Sequence, residues 1–216
     1  MVPESTKGMS SRDKILAALK KNQPATVELP VLNFAGDSSC DLKEQFIKTL
    51  TGIGGLAIEV NDWNDIVEHI KSKFPKPDRI VNRVADLNFE SDGLAYSSEI
   101  SNKPDQQAGQ KSDPHDFSNV TLAIMKGEFG VAENGAIWLT DKDMGDQALP
   151  YICEHLVLII NKNSIVPTLH EAYEKIGSST YHLGTFLAGP SKTADIEQSL
   201  VLGAHGSKSM IAFLIG

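Results

Sequence analysis

Apolar residues recur along the chain in two rhythms, and the change from one to the other marks its elements. Ser10 and Ser11 are helix-capping residues, Asp13 sits where a first-turn negative charge is favoured, and Ile15, Leu16 and Leu19 share one helical face before Pro24 ends it. An irregular connector over 23–40 leads to a second helix over 41–50, with Leu42, Phe46, Ile47 and Leu50 on its apolar side. From residue 55 the texture changes. Residues 55–60 read as a buried strand, and 62–73 as a helix striped by Ile66, Val67 and Ile70. Another strand is expected over 79–84, after the Pro75/Pro77 turn. Residues 120–125, 136–140, 155–160, 185–188 and 210–215 are further strands, the run from His155 to Ile160 being the clearest. A helix begins near Pro167 and carries Leu169, Ala172, Tyr173 and Ile176.

Strands alternating with helices predict an α/β fold, a sheet between helices in three layers. The two leading helices make an N-terminal helical extension over 1–54, an arm or cap, and 55–216 form the main α/β domain. Residues 88–119 break the rhythm. Asn, Ser, Asp, Gln, Gly and Pro dominate there, as in a long mobile loop, or a variable surface loop hiding short elements. Trp63 and Trp138 read as packing residues.

Composition narrows the chemistry. A formal charge of −8 argues against a broad nucleic-acid surface, which needs clustered Lys and Arg. No apolar run approaches the ~20 residues of a membrane span, and residues 1–8 lack a signal-peptide core, so the expected location is cytoplasmic. The two cysteines, Cys40 and Cys153, fall short of the four ligands of an ordinary iron–sulfur centre, and no CxxC or HExxH motif marks a metal site. Neither a metal nor a cofactor is expected on this chain itself.

Two loops carry the candidate chemistry. Around 130–135, Glu133 stands in a glycine-flanked turn with Gly130, Asn134 and Gly135. A partly buried Glu there is a candidate base, nucleophile or ligand contact; equally, Asn134–Gly135 make a hairpin turn beside a solvated carboxylate. The second loop runs from Gly189 through Ser191, Lys192 and Thr193 into an expected helix holding Asp195 and Glu197. It is not a phosphate-binding P-loop, because Pro190 and Ser191 stand where that motif needs its Lys and hydroxyl. Free N–H groups at such a helix start suit a small anion, or serve simple capping. His205, between Gly203 and Gly206, is a loop histidine able to orient an anion or move a proton, or a structural one. Both loops follow strands, so they are expected to meet on one concave site binding a small anionic or hydroxy-acid ligand.

In these loops the chain resembles the lactate-utilisation domain family. The strongest match is GPSKTADIE at 189–197 followed by LVLGAHG at 200–206; EFGVAENG at 128–135, IVPTL at 165–169 and SRDKIL at 11–16 add to it. The family pattern carries Thr where this chain has Asn134. The resemblance implies a fold similar to the sugar-phosphate isomerase and CoA-transferase (NagB/RpiA/CoA-transferase-like) group. It also implies work with iron–sulfur partner proteins, holders of the clusters, in oxidising L-lactate to pyruvate. AENG at 132–135 also resembles the Ser-Glu-Asn-Gly motif of CoA-transferases, which would make Glu133 a nucleophile. A non-catalytic assembly or regulatory subunit is the third reading.

Overall fold

The computed structural model describes residues 10–28, 30, 41–87, 117–194 and 200–216. Residues 88–116, Cys40, Asp195 and Glu197 lie outside the described residues, and with them most of the expected long loop. The chain divides into two units, one up to Phe34 and one from Ala35 onward. In the first, helix α1 (Ser11–Lys21) starts on a capping box. Ser10 Oγ accepts the Asp13 N–H, the Asp13 carboxylate accepts from Ser10 in return, and none of the helix's residues is buried.

The second unit is built on a five-stranded sheet, every pairing parallel, in the order β1–β11–β6–β3–β2. Its strands are β1 (Leu56–Glu59), β2 (Ile80–Asn82), β3 (Leu122–Lys126), β6 (His155–Asn161) and β11 (Ser209–Ile215). The middle strands are apolar almost throughout because both of their faces are covered, as parallel sheets require. Odd and even residues go to different cores. Val157, Ile159, Ile211 and Phe213 face helix α3 (Trp63–Lys73), which contributes Ile66 and Ile70. Leu156, Leu158, Ile160, Ala212 and Leu214 face the other way, toward helix α2 (Leu42–Gly52).

That second face differs from a plain helical layer. Alongside α2 lies a four-stranded sheet in the order β7–β4–β5–β8, made of β4 (Phe129–Val131), β5 (Ala136–Thr140), β7 (Ile165–Val166) and β8 (Gly184–Leu187). Ile137 and Leu139 of β5 join Phe46 and Leu50 of α2 in the large core. On the outer side of this second sheet, Phe129, Val131 and Trp138 pack under Ala172 and Ile176 of helix α6 (Leu169–Ile176). Two short helices, α4 (Asp141–Met144) and α5 (Leu149–Ile152), connect β5 to β6.

The expected arm over 1–54 is therefore split. Asp41 caps α2 by accepting the Lys43 and Glu44 N–H groups, and the helix then buries Phe46 and Leu50 fully, both at 0% exposure. Truncating either would cost about 2–5 kcal/mol, which marks α2 as core rather than appendage. A two-stranded antiparallel hairpin of β9 (Lys192–Ala194) and β10 (Leu200–Leu202) is the third sheet among the described residues.

Candidate functional site

The first glycine-rich loop is the turn between β4 and β5, and it is stapled to the start of α6. Ala132 N–H donates to Val166 O at 2.9 Å and Glu133 N–H to Pro167 O at 3.0 Å. The exposed Glu133 carboxylate accepts the Leu169 N–H at 2.8 Å, satisfying one of the donors that a helix start leaves free. Thr168 Oγ1 serves the Glu171 N–H at 3.3 Å, so two side chains share this cap. Asn134 folds over its own turn, its amide oxygen accepting from Ala136 N–H at 3.0 Å.

The glycines answer to α2. Gly135 has φ +68, and a Cβ there would sit 2.9 Å from the backbone N and Cα of Leu50. At Gly130 a Cβ would stand 3.0 Å from the Phe46 ring and from Ile160. Only a bare backbone lets β4 and its turn lie this close to the helix.

The second loop reaches the same helix end. A Cβ on Gly189 would meet Ile53 at 3.2 Å, and Lys192 runs across Gly54, its Nζ 3.1 Å from where a Cβ there would be. The two loops thus flank one feature, the last turn of α2 and the two residues after it. Lys192–Ala194, at the expected helix start, are extended instead and pair with β10, Thr193 opposite Val201. Ser191 N–H is not free either; it donates to Ser207 O at 2.9 Å, while Ser191 O accepts from Gly203 N–H at 3.1 Å. These bonds draw the turn holding exposed His205 against Ser191. Glu133, by contrast, is directed to α6. Ser-Lys-Thr after Gly-Pro reads as a helix cap locally, but a partner strand supplies its hydrogen bonds.

A cleft of about 490 Å³ opens elsewhere, on the outer side of the second sheet where α6 ends. Phe129, Trp138 and Tyr181 give its lining aromatic surface, and Glu128, Thr140, Lys142 and Lys175 give it polar groups. Thr140 Oγ1 lies 2.8 Å from Asp143 Oδ2 and 3.4 Å from Glu128 Oε1, so its single proton favours Asp143 and serves Glu128 only weakly. Partial burial, then the Asp143 charge, push the Glu128 carboxyl up, against the pull of the Thr140 bond, Lys142 and Lys175. A carboxyl so placed can hold a proton more readily than a free one and pass it to a bound oxygen. Sequence spacing could not assemble this group, which comes from three separate stretches, 128–129, 138–142 and 175–181; Glu128, opening the first glycine-rich motif, was the only signal.

Among the described residues no three His, Cys, Asp or Glu side chains are placed to hold a metal ion. Cys153 is buried, and burial pushes its thiol up to about 12, far from the thiolate a metal needs.

Residues 43–215 match the LUD domain family. A lactate utilization protein C from Geobacillus thermodenitrificans is 32% identical over 104 residues, 45% of this chain and 42% of that protein. Lactate utilization protein C 1 from Bacillus mycoides is 26% identical over 172 residues, 76% of this chain and 66% of its own length. The chain thus covers less than two thirds of these relatives' length. A solved structure of a DUF162 family protein from Deinococcus radiodurans superposes with a TM-score of 0.60 at 15% identity, over 82% of this chain and 97% of the other, a likeness of fold. With the family's match running from α2 to β11, over most of its length, this chain belongs to the LUD domain family.

Proposed function

We propose that this chain is a lactate utilization protein C-like subunit, working in the cytoplasm with iron–sulfur partner proteins in the oxidation of L-lactate to pyruvate. The observation that carries the reading is the family match over residues 43–215, joined by relatives that bear that name. Chemistry supports the division of labour. Lactate gives up two electrons and two protons on becoming pyruvate, and this chain's two cysteines cannot furnish the four thiolates of an ordinary cluster. Electron transfer then belongs to partners, while this chain contributes ligand contacts or assembly.

The CoA-transferase reading needs the Glu133 carboxylate free to attack. A carboxylate that already accepts the Leu169 N–H at the positive end of α6 is stabilised where it is, which favours a positioning role for Glu133. The test is reconstitution. The purified chain is combined with its iron–sulfur partners and lactate-dependent reduction of an electron acceptor is measured. Activity should require every component, and the isolated chain should carry no iron. Equal activity from the partners without this chain would refute the proposal.

A further inference from the structure

The cleft at the end of α6 has features that neither the glycine-rich loops nor the lactate reading accounts for. Its volume of about 490 Å³ lies within the roughly 300–1,000 Å³ of small-molecule sites and is far larger than a three-carbon acid fills. Its base is aromatic and held still. Trp138 packs edge-to-face with Tyr181, ring centres 5.4 Å apart, and tilts against Phe186 at 4.6 Å. A Cβ on Gly184 would overlap the Trp138 indole, so the strand beneath is bare where the ring rests.

Its rim is cationic in a chain of net charge −8. Lys142 and Lys175 are both exposed, and among the described residues neither forms an ion pair with a carboxylate. Lys175 is placed by its stem and by the Phe129 ring, 4.7 Å below its ammonium. Of the two acids flanking Lys142 in sequence, Asp143 spends its Oδ2 on the N–H and hydroxyl of Thr140, each at 2.8 Å, and Asp141 its Oδ1 on the His182 and Leu183 N–H groups. Against them the lining holds one carboxylate, Glu128, so a net positive charge is left for a guest.

We propose that this cleft binds an aromatic or heterocyclic organic anion, its ring against Trp138 and Tyr181, its negative group between Lys142 and Lys175, and a hydroxyl or N–H at Glu128. The inference is independent of the lactate role, since it concerns a different ligand class and is read by binding rather than by turnover.

Calorimetric titration of the full chain tests it, with 4-hydroxybenzoate and adenosine monophosphate as anionic probes, 4-hydroxybenzamide as the neutral control and L-lactate as the small acid. At least one ring-bearing anion should saturate below about 1 mM, with the benzamide and lactate each roughly tenfold weaker or more. A Lys142→Ala/Lys175→Ala double variant, checked for native circular dichroism, should lose that binding by about tenfold or more. Lys142→Arg/Lys175→Arg should keep most of it. No saturable binding of either anion, binding unchanged in the alanine variant, or lactate binding as tightly as the ring-bearing anions would overturn the proposal.

Discussion

Replacing Gly135 by alanine tests whether the first glycine-rich loop exists to seat α2. The new side chain meets two obstacles. Its backbone has φ +68, a left-handed conformation that costs a residue with a Cβ about 1–2 kcal/mol. The Cβ itself would stand 2.9 Å from the Leu50 backbone, and crowding of this kind costs about 1–3 kcal/mol more. The sum, about 2–5 kcal/mol, is a large share of the ~5–15 kcal/mol that holds such a domain together. Two companion variants separate the contributions. Gly130→Ala meets side chains rather than backbone, at 3.0 Å, with no positive φ, so it should cost about 1–3 kcal/mol. Gly52→Ala, in the last turn of α2, has nothing within 4 Å of its Cβ and should stabilise by about 0.5–1 kcal/mol through better helix propensity. Urea unfolding followed by circular dichroism gives all three values. If Gly135→Ala proves no worse than Gly130→Ala, or Gly52→Ala destabilises, the close seating of α2 is not what these glycines provide.

Glu133→Ala should cost about 0.5–2 kcal/mol in the same assay by uncapping α6, with Glu133→Gln, which keeps an acceptor oxygen, clearly milder; equal losses would contradict the capping role. Cys153, its thiol pushed up to about 12 by burial, should resist alkylation by iodoacetamide in the native protein and react once unfolded, as site-resolved mass spectrometry would show; rapid native labelling would count against its burial. Burial lowers the folded-state pKa of His155 below 6.5, so the unfolded chain binds the proton first as pH falls. Its stabilising contribution is full above that value and is lost as pH drops toward the folded pKa. The urea midpoint should therefore fall between pH 7.5 and 5.5, less so in His155→Gln, and an equal fall in both proteins would remove His155 as the cause.

The central sheet was legible in the sequence because its strands are buried on two sides, which writes them as unbroken apolar runs at β6 and β11. Helix starts were legible for a different reason: Asp41, Asp62 and Thr168 carry their capping chemistry within a few residues. The hairpin of β9 and β10 was not, since its pairing partner lies outside any local window, and its loop offers the same Ser and Thr that would cap a helix. The place of α2 was hidden as well. An amphipathic helix announces that one face is covered, but not by what, and the close approach of Gly135 to Leu50 joins residues far apart in the chain. The cleft was invisible for the same reason, because Glu128, Lys142 and Lys175 belong to no common motif.

The order of the central sheet has a consequence for how the chain comes off the ribosome. β11, made after every other strand of this sheet, lies between β1 and β6, so until residues 209–215 emerge the sheet exists as two unjoined parts. Both of β11's neighbours meanwhile present open strand edges to the crowded solution around them. Parallel pairings between distant segments are slow to form, so closure should be a late step of folding rather than an early one. A nascent chain stalled short of residue 209 would be a natural client for a chaperone, and release of β11 the event that ends its dependence.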